Sequence, residues 1–187
     1  MLPKATTTGR TYTSQTVSIV ELEAIPITLR TRSKQVRVIE GKADGLRRLS
    51  ASQAAWVRQL AAKMPFYRFM GIRLIKSGWG RSEIRLRVGR GLTQQAGVAH
   101  GGVAAALVDS AVGLALCTLI NVGSRITTLS LQVNFLAPAM PGTLTARGRI
   151  FHKGRRTAVG ECEVTDVDGK VVAKGTATYM ILNGERV

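Results

Sequence analysis

The chain has 187 residues, which is enough for one domain with a substantial hydrophobic core. Its 27 Lys and Arg residues outnumber its 11 Asp and Glu residues, for a net charge of +16. This excess favours an anionic partner, such as nucleic acid, an acidic membrane surface or a phosphorylated small molecule, although a solvated basic surface without a ligand has the same composition. The chain lacks zinc-finger spacing, an aromatic and basic RNA-binding signature and an uninterrupted basic run, which argues against nucleic acid.

Residues 1–48 differ in composition from the remainder, and we predict a poorly ordered N-terminal extension followed by one domain over residues 49–187. Two strand-like runs, residues 16–22 and 25–38, lie in this extension. Pro26 interrupts the pattern, and neither run carries recognisable chemistry.

The cysteines and the N-terminal composition indicate the compartment. Cys117 lies in an apolar run and Cys162 in a strand-like run, so two reduced thiols in the core are favoured over a disulfide. No secretory signal is present, which predicts a cytoplasmic protein. Residues 1–20 contain no acid and are rich in Thr and Ser, so organellar targeting by this segment stays open.

Residues 50–63 predict a short amphipathic helix, because Ser50 is a suitable N-cap and Trp56 and Leu60 lie four residues apart. After this helix the apolar pattern changes to a period of two, around a turn at residues 77–80. A β-hairpin is therefore predicted next.

The segment around which the chain is organised is residues 94–117, a polar turn with a histidine, two adjacent glycines and a long apolar run. Residues 101–120 contain a single charge, Asp109, so the run is either a membrane span or a helix buried in a domain. An aspartate near the middle of a span costs about 2.5–3.5 kcal/mol on insertion scales, and the flanking anchors of a lone span are missing. We therefore predict a core helix and no membrane span.

One face of this predicted helix carries only small residues around the carboxylate. Side chains three and four apart share a face, here Gly102, Ala105, Ala106, Asp109 and Gly113. Such a face lets a second backbone or a ligand approach closely, and the N–H groups at the helix start suit a partial negative charge such as a carbonyl oxygen. On this local physics alone, a simple turn at the glycine pair and a structural role for the acid are the favoured interpretation.

Four further strands are predicted, over residues 125–135, 143–151, 157–165 and 171–182. In the first of them, alternation predicts an apolar face and a polar face, namely Leu129, Leu131, Val133 and Phe135 opposite Thr128, Ser130, Gln132 and Asn134. A helix that is apolar on nearly every side needs a sheet wrapped around it or a partner to cover it. The predicted fold class is therefore α+β, a curved antiparallel β-sheet of about six strands wrapped around a long central helix inserted after the second strand.

Several familiar sites are missing from the sequence. It has no G-x-S-x-G elbow, no phosphate-binding P-loop and no H-E-x-x-H motif. With only His100 and His152, and two distant cysteines, metal binding has no support, and no cofactor is predicted.

The central segment resembles a known family. Residues 94–113, QQAGVAHGGVAAALVDSAVG, are similar to the signature of hotdog-fold acyl-CoA thioesterases of the phenylacetate-degradation (PaaI-like) type. Residues 131–138, 152–156 and 168–173 resemble the family's later strand and turn motifs in the same order, and the similarity covers about residues 65–182. The joint pattern of HGG with an acid nine residues after the histidine is specific, whereas HGG alone is weak.

The resemblance implies a hotdog fold and hydrolysis of an acyl-CoA thioester by water, without metal or cofactor. It also implies a homodimer or homotetramer with the site at the subunit interface, where Gln94, His100 and the helix N-terminus come from one chain and Asp109 from the other. These roles outweigh the structural interpretation of Asp109, while His100 is expected to hold the turn in shape.

The resemblance assigns the remaining site residues as follows. Gln94 would orient the carbonyl or a water, and Gly101 would donate its N–H to the thioester oxygen, with Gly102 as the weaker candidate. Asp109 would act as general base or nucleophile, and Thr128 would aid the water. Asn134, Arg155 and Arg156 are candidates for substrate binding, the arginines through the CoA phosphates, although polar strand residues and solvated turn arginines are the plain alternatives. The rival function is a non-catalytic hotdog module that binds acyl-CoA or another anionic ligand.

Overall fold

The computed structural model describes residues 49–182, and in it the predicted helices and strands follow one another in the predicted order, with one short helix in addition. The predicted extension over residues 1–48, with its two strand-like runs, lies outside the described residues, as do residues 183–187. The elements are α1 (Ala51–Lys63), α2 (Pro65–Met70), β1 (Arg73–Gly78), β2 (Arg81–Val88), a 3₁₀ turn (Arg90–Leu92), α3 (Gly101–Cys117), β3 (Arg125–Phe135), β4 (Gly142–Lys153), β5 (Thr157–Thr165) and β6 (Val171–Leu182).

Helix α1 begins as predicted, with the Ser50 side chain accepting a hydrogen bond from the Gln53 N–H at 3.2 Å. Helix α2 was not predicted from the sequence. Its signals are a proline at the first turn and Gly71 at its end with φ of 74°, a left-handed conformation that favours glycine. Six residues are too few to display a helical period.

The six strands form one antiparallel sheet in the order β1-β2-β4-β5-β6-β3, so β1 and β3 are its edges. This arrangement confirms the predicted α+β class and the hotdog fold, with α3 as the central helix. The two predicted thiols, Cys117 and Cys162, are buried and free, and burial raises the pKa of each to about 12.

Helix α3 lies against the sheet at very short range. A Cβ at Gly148 of β4 would lie 2.5 Å from the Ala111 carbonyl, so only glycine lets the strand pass under the helix backbone there. In the next strand, the Ser82 hydroxyl donates a hydrogen bond of 2.6 Å to the same carbonyl oxygen. Among the described residues, no helix is long and apolar enough to cross a membrane.

The far end of α3 is held by α1. The side-chain amide of Gln53 donates hydrogen bonds of 2.7 Å to the carbonyl oxygens of Cys117 and Ile120, which have no partner within a helix that stops at residue 117. Helix α1 therefore belongs to the same structural unit as the central helix.

Strand β3 departs from the predicted alternation at a β-bulge. Thr128 pairs with Tyr179, whereas Ser130 pairs with Thr178, so Leu129 is an extra residue in the ladder. Directly paired residues share a face, and the bulge changes the phase of the alternation. The predicted placement of Thr128 on the polar face is therefore wrong, because it shares the helix-facing side with the apolar residues that follow the bulge.

Candidate active site

The loop before α3 is closed by its own backbone. The Gln94 N–H donates to the Val98 carbonyl at 2.9 Å, and the Gly97 N–H donates to the Gln94 carbonyl at 2.9 Å. Gly97 has φ of 79°, which a residue with a side chain rarely adopts. The backbone of Gln94 is thus fixed, while its side chain stays exposed.

His100 is the N-cap of α3. Its Nδ1 accepts a hydrogen bond of 3.0 Å from the Gly102 N–H. The imidazole thus takes the place of the Ser, Thr or Asp side chain that is usual at an N-cap. The Gly102 N–H is therefore occupied, and a Cβ on Gly102 would lie 3.0 Å from that nitrogen. Of the hydrogen bonds made outside regular helices and strands in residues 49–182, none uses the Gly101 N–H. Gly101 is thus the residue whose N–H can bind a ligand oxygen.

A cavity of about 400 Å³ opens at this helix start. It brings together three of the predicted site residues, Gln94, His100 and Gly101. The rest of its wall is apolar and was not predicted as part of a site: Val98, Ala99, Ala104, Phe135, Leu136, Ala137, Pro138, Ala139, Leu144 and Val172. The Phe135 ring lies so close that a Cβ on Gly101 would be 3.3 Å from it. Such a wall suits an apolar group placed next to a polar reacting centre.

Asp109 does not line this cavity. It lies eight residues further along α3, about 12 Å at 1.5 Å per residue. Its carboxylate is half-buried, and Oδ1 accepts a hydrogen bond of 2.9 Å from the Thr128 hydroxyl. The two residues that the resemblance places around the water are therefore in contact, but away from the other half of the predicted site.

Tyr179 of β6 is a third member of this cluster, and it was not predicted from the sequence. Its hydroxyl lies 2.7 Å from Oδ1 of Asp109 and 2.6 Å from the backbone carbonyl oxygen of the same residue. Burial, and secondarily the negative charge and hydrogen bond of Asp109, raise the pKa of Tyr179 far above its ordinary value. A tyrosine on the buried face of a strand needs a polar partner for its hydroxyl, and that was the available signal.

The candidates for substrate binding lie in two further places. Arg155 and Arg156 are exposed in the β4–β5 turn. This turn lies at the same end of the sheet as Tyr179, since the Ile181 N–H of β6 donates a hydrogen bond to the Arg156 carbonyl at 2.7 Å. Asn134 pairs with Lys174 on the outer face of the sheet, away from α3. There it lines a separate cavity of about 460 Å³.

The outer face of the sheet is also where the charged side chains pair. Glu83 is bound by Arg85 and Arg147 at 3.1 and 3.2 Å, and Lys174 lies 2.9 Å from Glu163. The basic side chain of each pair is about half exposed, and such pairs contribute little to stability. Residues 49–182 contain no group of three or more His, Cys, Asp or Glu side chains placed to hold a metal ion.

Comparisons with known proteins agree with this fold. The sequence model of the thioesterase superfamily matches residues 96–173. A solved structure of a thioesterase family protein from Silicibacter pomeroyi is 32% identical, covers 71% of this chain and 99% of its own, and superposes with a TM-score of 0.68. The structure of the E. coli PaaI protein from the phenylacetic acid degradation operon has a TM-score of 0.67, covers 73% of this chain and 97% of its own, and shares the fold at 23% identity.

A curated relative from Listeria monocytogenes, named 1,4-dihydroxy-2-naphthoyl-CoA hydrolase, is 27% identical over 112 residues. The alignment covers 60% of this chain and 91% of that protein.

Proposed function

The chain belongs to the thioesterase superfamily, and from that premise we propose that it hydrolyses an acyl-CoA thioester with water, releasing a free acid and CoA. The CoA part of the proposal is supported by the Listeria relative, whose name describes a CoA thioester hydrolase. The net charge of +16 suits a substrate that carries several phosphate charges.

The observation that carries the proposal is the division of the site residues on one chain. Gln94, His100 and Gly101 line the first cavity. Asp109, further along α3, and Thr128, on β3, contact each other outside that cavity. Neither group alone holds both an N–H for the thioester oxygen and a carboxylate for the water. Two copies of the chain supply both if each contributes one group.

Strand β3 is the surface through which two copies would join. It is an edge strand of eleven residues, with Leu129 52% and Phe135 61% exposed in the single chain. Long edge strands with exposed apolar side chains and unpaired backbone groups tend to pair with another strand. Antiparallel pairing of two β3 strands about a two-fold axis brings the Thr128 end of one strand to the Phe135 end of the other. The carboxylate of one protomer would then face the helix N-terminus of its partner.

In the proposed reaction the Asp109 carboxylate takes a proton from a water, and the resulting hydroxide attacks the thioester carbonyl carbon. The carbonyl oxygen becomes an oxyanion that accepts a hydrogen bond from the Gly101 N–H at the positive end of the α3 dipole. The C–S bond then breaks, the proton held by Asp109 passes to the CoA sulfur, and the acid leaves. Gln94 orients the carbonyl or the water.

The apolar wall of the first cavity would hold the acyl group. Phe135 and Leu136 are exposed there in the single chain, at 61% and 56%, and would be covered by an acyl chain or by the partner. Arg155 and Arg156 lie at the Asp109 end of the sheet. In each shared site the protomer that supplies Asp109 would therefore also supply these two arginines, which could bind CoA phosphates.

The direct test is a steady-state assay that follows CoA release from a panel of aryl-CoA and short, medium and long alkyl-CoA thioesters. We expect turnover with at least one class. If thioesters of the panel bind tightly but none of them releases CoA, the non-catalytic binding module replaces this proposal.

A further inference from the structure

We infer that Tyr179 is a positioning residue for the proposed hydrolysis: it holds Oδ1 of Asp109 together with Thr128, so that Oδ2 is the oxygen that takes the proton from water. This inference rests on the proposed function of Asp109 as the base. It adds a residue from β6 that no sequence motif singled out.

The hydrogen bonds to the Asp109 carboxylate determine which oxygen is engaged. Within residues 49–182, both donors end on Oδ1, the Thr128 hydroxyl at 2.9 Å and the Tyr179 hydroxyl at 2.7 Å. Two donors on one oxygen fix the rotation of the carboxylate plane about the Cβ–Cγ bond. Neither donor engages Oδ2, so this oxygen is the one that can take a proton from water.

The Tyr179 hydroxyl has two acceptors for its single proton, Oδ1 at 2.7 Å and the Asp109 carbonyl oxygen at 2.6 Å. While Asp109 is a carboxylate, the charged acceptor forms the stronger hydrogen bond. When Oδ2 takes up a proton from water, the charge is lost and the hydroxyl can turn to the carbonyl oxygen. The tyrosine therefore stays hydrogen-bonded in both states, and its own proton never leaves it.

The position of the hydroxyl is determined by close packing. Tyr179 is 3% exposed, and it pairs with Thr128 across the β3–β6 ladder, so both side chains reach α3 from neighbouring strands. Gly113, one helical turn after Asp109, leaves the space for the ring. A Cβ there would lie 3.0 Å from the tyrosine oxygen. The small face predicted on α3 thus admits a buried tyrosine at this point.

The tyrosine also stays protonated at neutral pH, well below the ordinary pKa of a tyrosine. Burial is the main reason that its pKa lies far above the ordinary value, and the Asp109 charge acts in the same direction. It is consequently a permanent donor and not a proton source.

The test compares Tyr179→Phe with Tyr67→Phe. Tyr67 is a matched control, because it is also a buried tyrosine next to α3, but its hydroxyl points to the Ser110 carbonyl at 3.5 Å and not to the carboxylate. We expect Tyr179→Phe to lower kcat about 10-fold to 100-fold with KM little changed, by analogy with the loss of residues that orient the metal-binding side chains of other enzymes. Tyr67→Phe should keep the wild-type kcat.

A second variant tests the same hydroxyl without removing it. Gly113→Ala should lower kcat in the wild-type background, because its Cβ displaces the tyrosine oxygen, and should add little to the defect of Tyr179→Phe, which lacks that oxygen. If Tyr179→Phe proves unstable, the kcat of Gly113→Ala in the wild-type background decides the question, and an unchanged kcat there overturns the inference.

The possible outcomes separate the two hypotheses. An inactive Asp109→Asn protein with wild-type kcat in Tyr179→Phe overturns the inference about Tyr179 and leaves the proposed function intact. Wild-type kcat in Asp109→Asn overturns the assignment of Asp109 as the base, and with it the inference about Tyr179. Absence of CoA release from the wild-type protein overturns the proposed function itself. Equal losses of kcat in Tyr179→Phe and Tyr67→Phe reduce Tyr179 to a packing residue.

Discussion

The Thr128 hydroxyl lies 2.9 Å from Oδ1 of Asp109, on a strand whose regular alternation would turn that hydroxyl to the opposite face of the sheet. The contact exists because Leu129 is inserted as a bulge, which lets Thr128 and the apolar residues after it face α3 together. Bulges commonly re-aim a side chain beside a functional site.

Replacing Asp109 by asparagine should abolish turnover while the fold and substrate binding persist. The amide keeps the shape and can still accept the hydrogen bonds of Thr128 and Tyr179, but it cannot take a proton from water, and such losses are typically about 10² to 10⁴ in rate. Asp168→Asn, in an exposed turn, is the control and should remain fully active. The measurements are kcat, acyl-CoA binding and the melting temperature; near wild-type kcat in Asp109→Asn ends its assignment as the base.

Two inactive variants should restore each other if the site is shared. Gln94→Ala and Asp109→Asn should each be nearly inactive, but in a mixed dimer one of the two sites receives an intact Gln94 and an intact Asp109. Random reassortment makes about half of the dimers mixed, each with one good site of two, so activity should return to about a quarter of wild type.

This complementation is measured on mixed dimers purified by two different tags after co-expression, in which every dimer has one good site and about half of the wild-type activity is expected. The control is a dimer in which both chains carry Asp109→Asn and each chain carries one of the two tags, and it should stay inactive. Inactive mixed dimers, from parents that fold and associate, would contradict a site formed by two subunits.

Replacing Gly148 by alanine should destabilise the protein, because the new Cβ would lie 2.5 Å from the backbone of Ala111. Neither backbone can yield easily, so we expect a loss of about 1–3 kcal/mol in the free energy of unfolding. The melting temperature should fall by about 2–4 °C for each kcal/mol. Gly78→Ala is the control, since a Cβ there meets nothing within 4 Å. An unchanged melting temperature in Gly148→Ala would mean that the helix does not approach β4 this closely.

His100 should prove to be a cap whose loss affects the oxyanion site. His100→Ala removes the acceptor of the Gly102 N–H and should cost about 0.5–2 kcal/mol, measured by denaturant unfolding. His100→Asn keeps a side-chain acceptor and should recover most of that stability and of kcat. A His100→Ala protein that is as stable and as active as wild type would exclude the capping role.

Deleting residues 1–48 should leave the melting temperature and kcat nearly unchanged. This expectation comes from the sequence, in which these residues carry no recognisable site chemistry. Loss of solubility or activity in the shortened protein would assign the segment to the core or to an interface.

The sequence alone predicted the turn before the central helix, the helix itself and four later strands, because hydrophobic period and local motif are properties of neighbouring residues. The same residues pointed to Gln94, His100, Gly101 and Asp109. Only the tertiary structure located the cavity that Gln94, His100 and Gly101 line and Asp109 does not, because its walls come from segments that are far apart in sequence. Tyr179 is seventy residues from Asp109 in sequence and reaches it only because β6 lies beside β3 in the sheet. The bulge at Leu129 has no local signal either, because it arises where the strand must fit the ladder of its neighbour and the helix beneath at the same time.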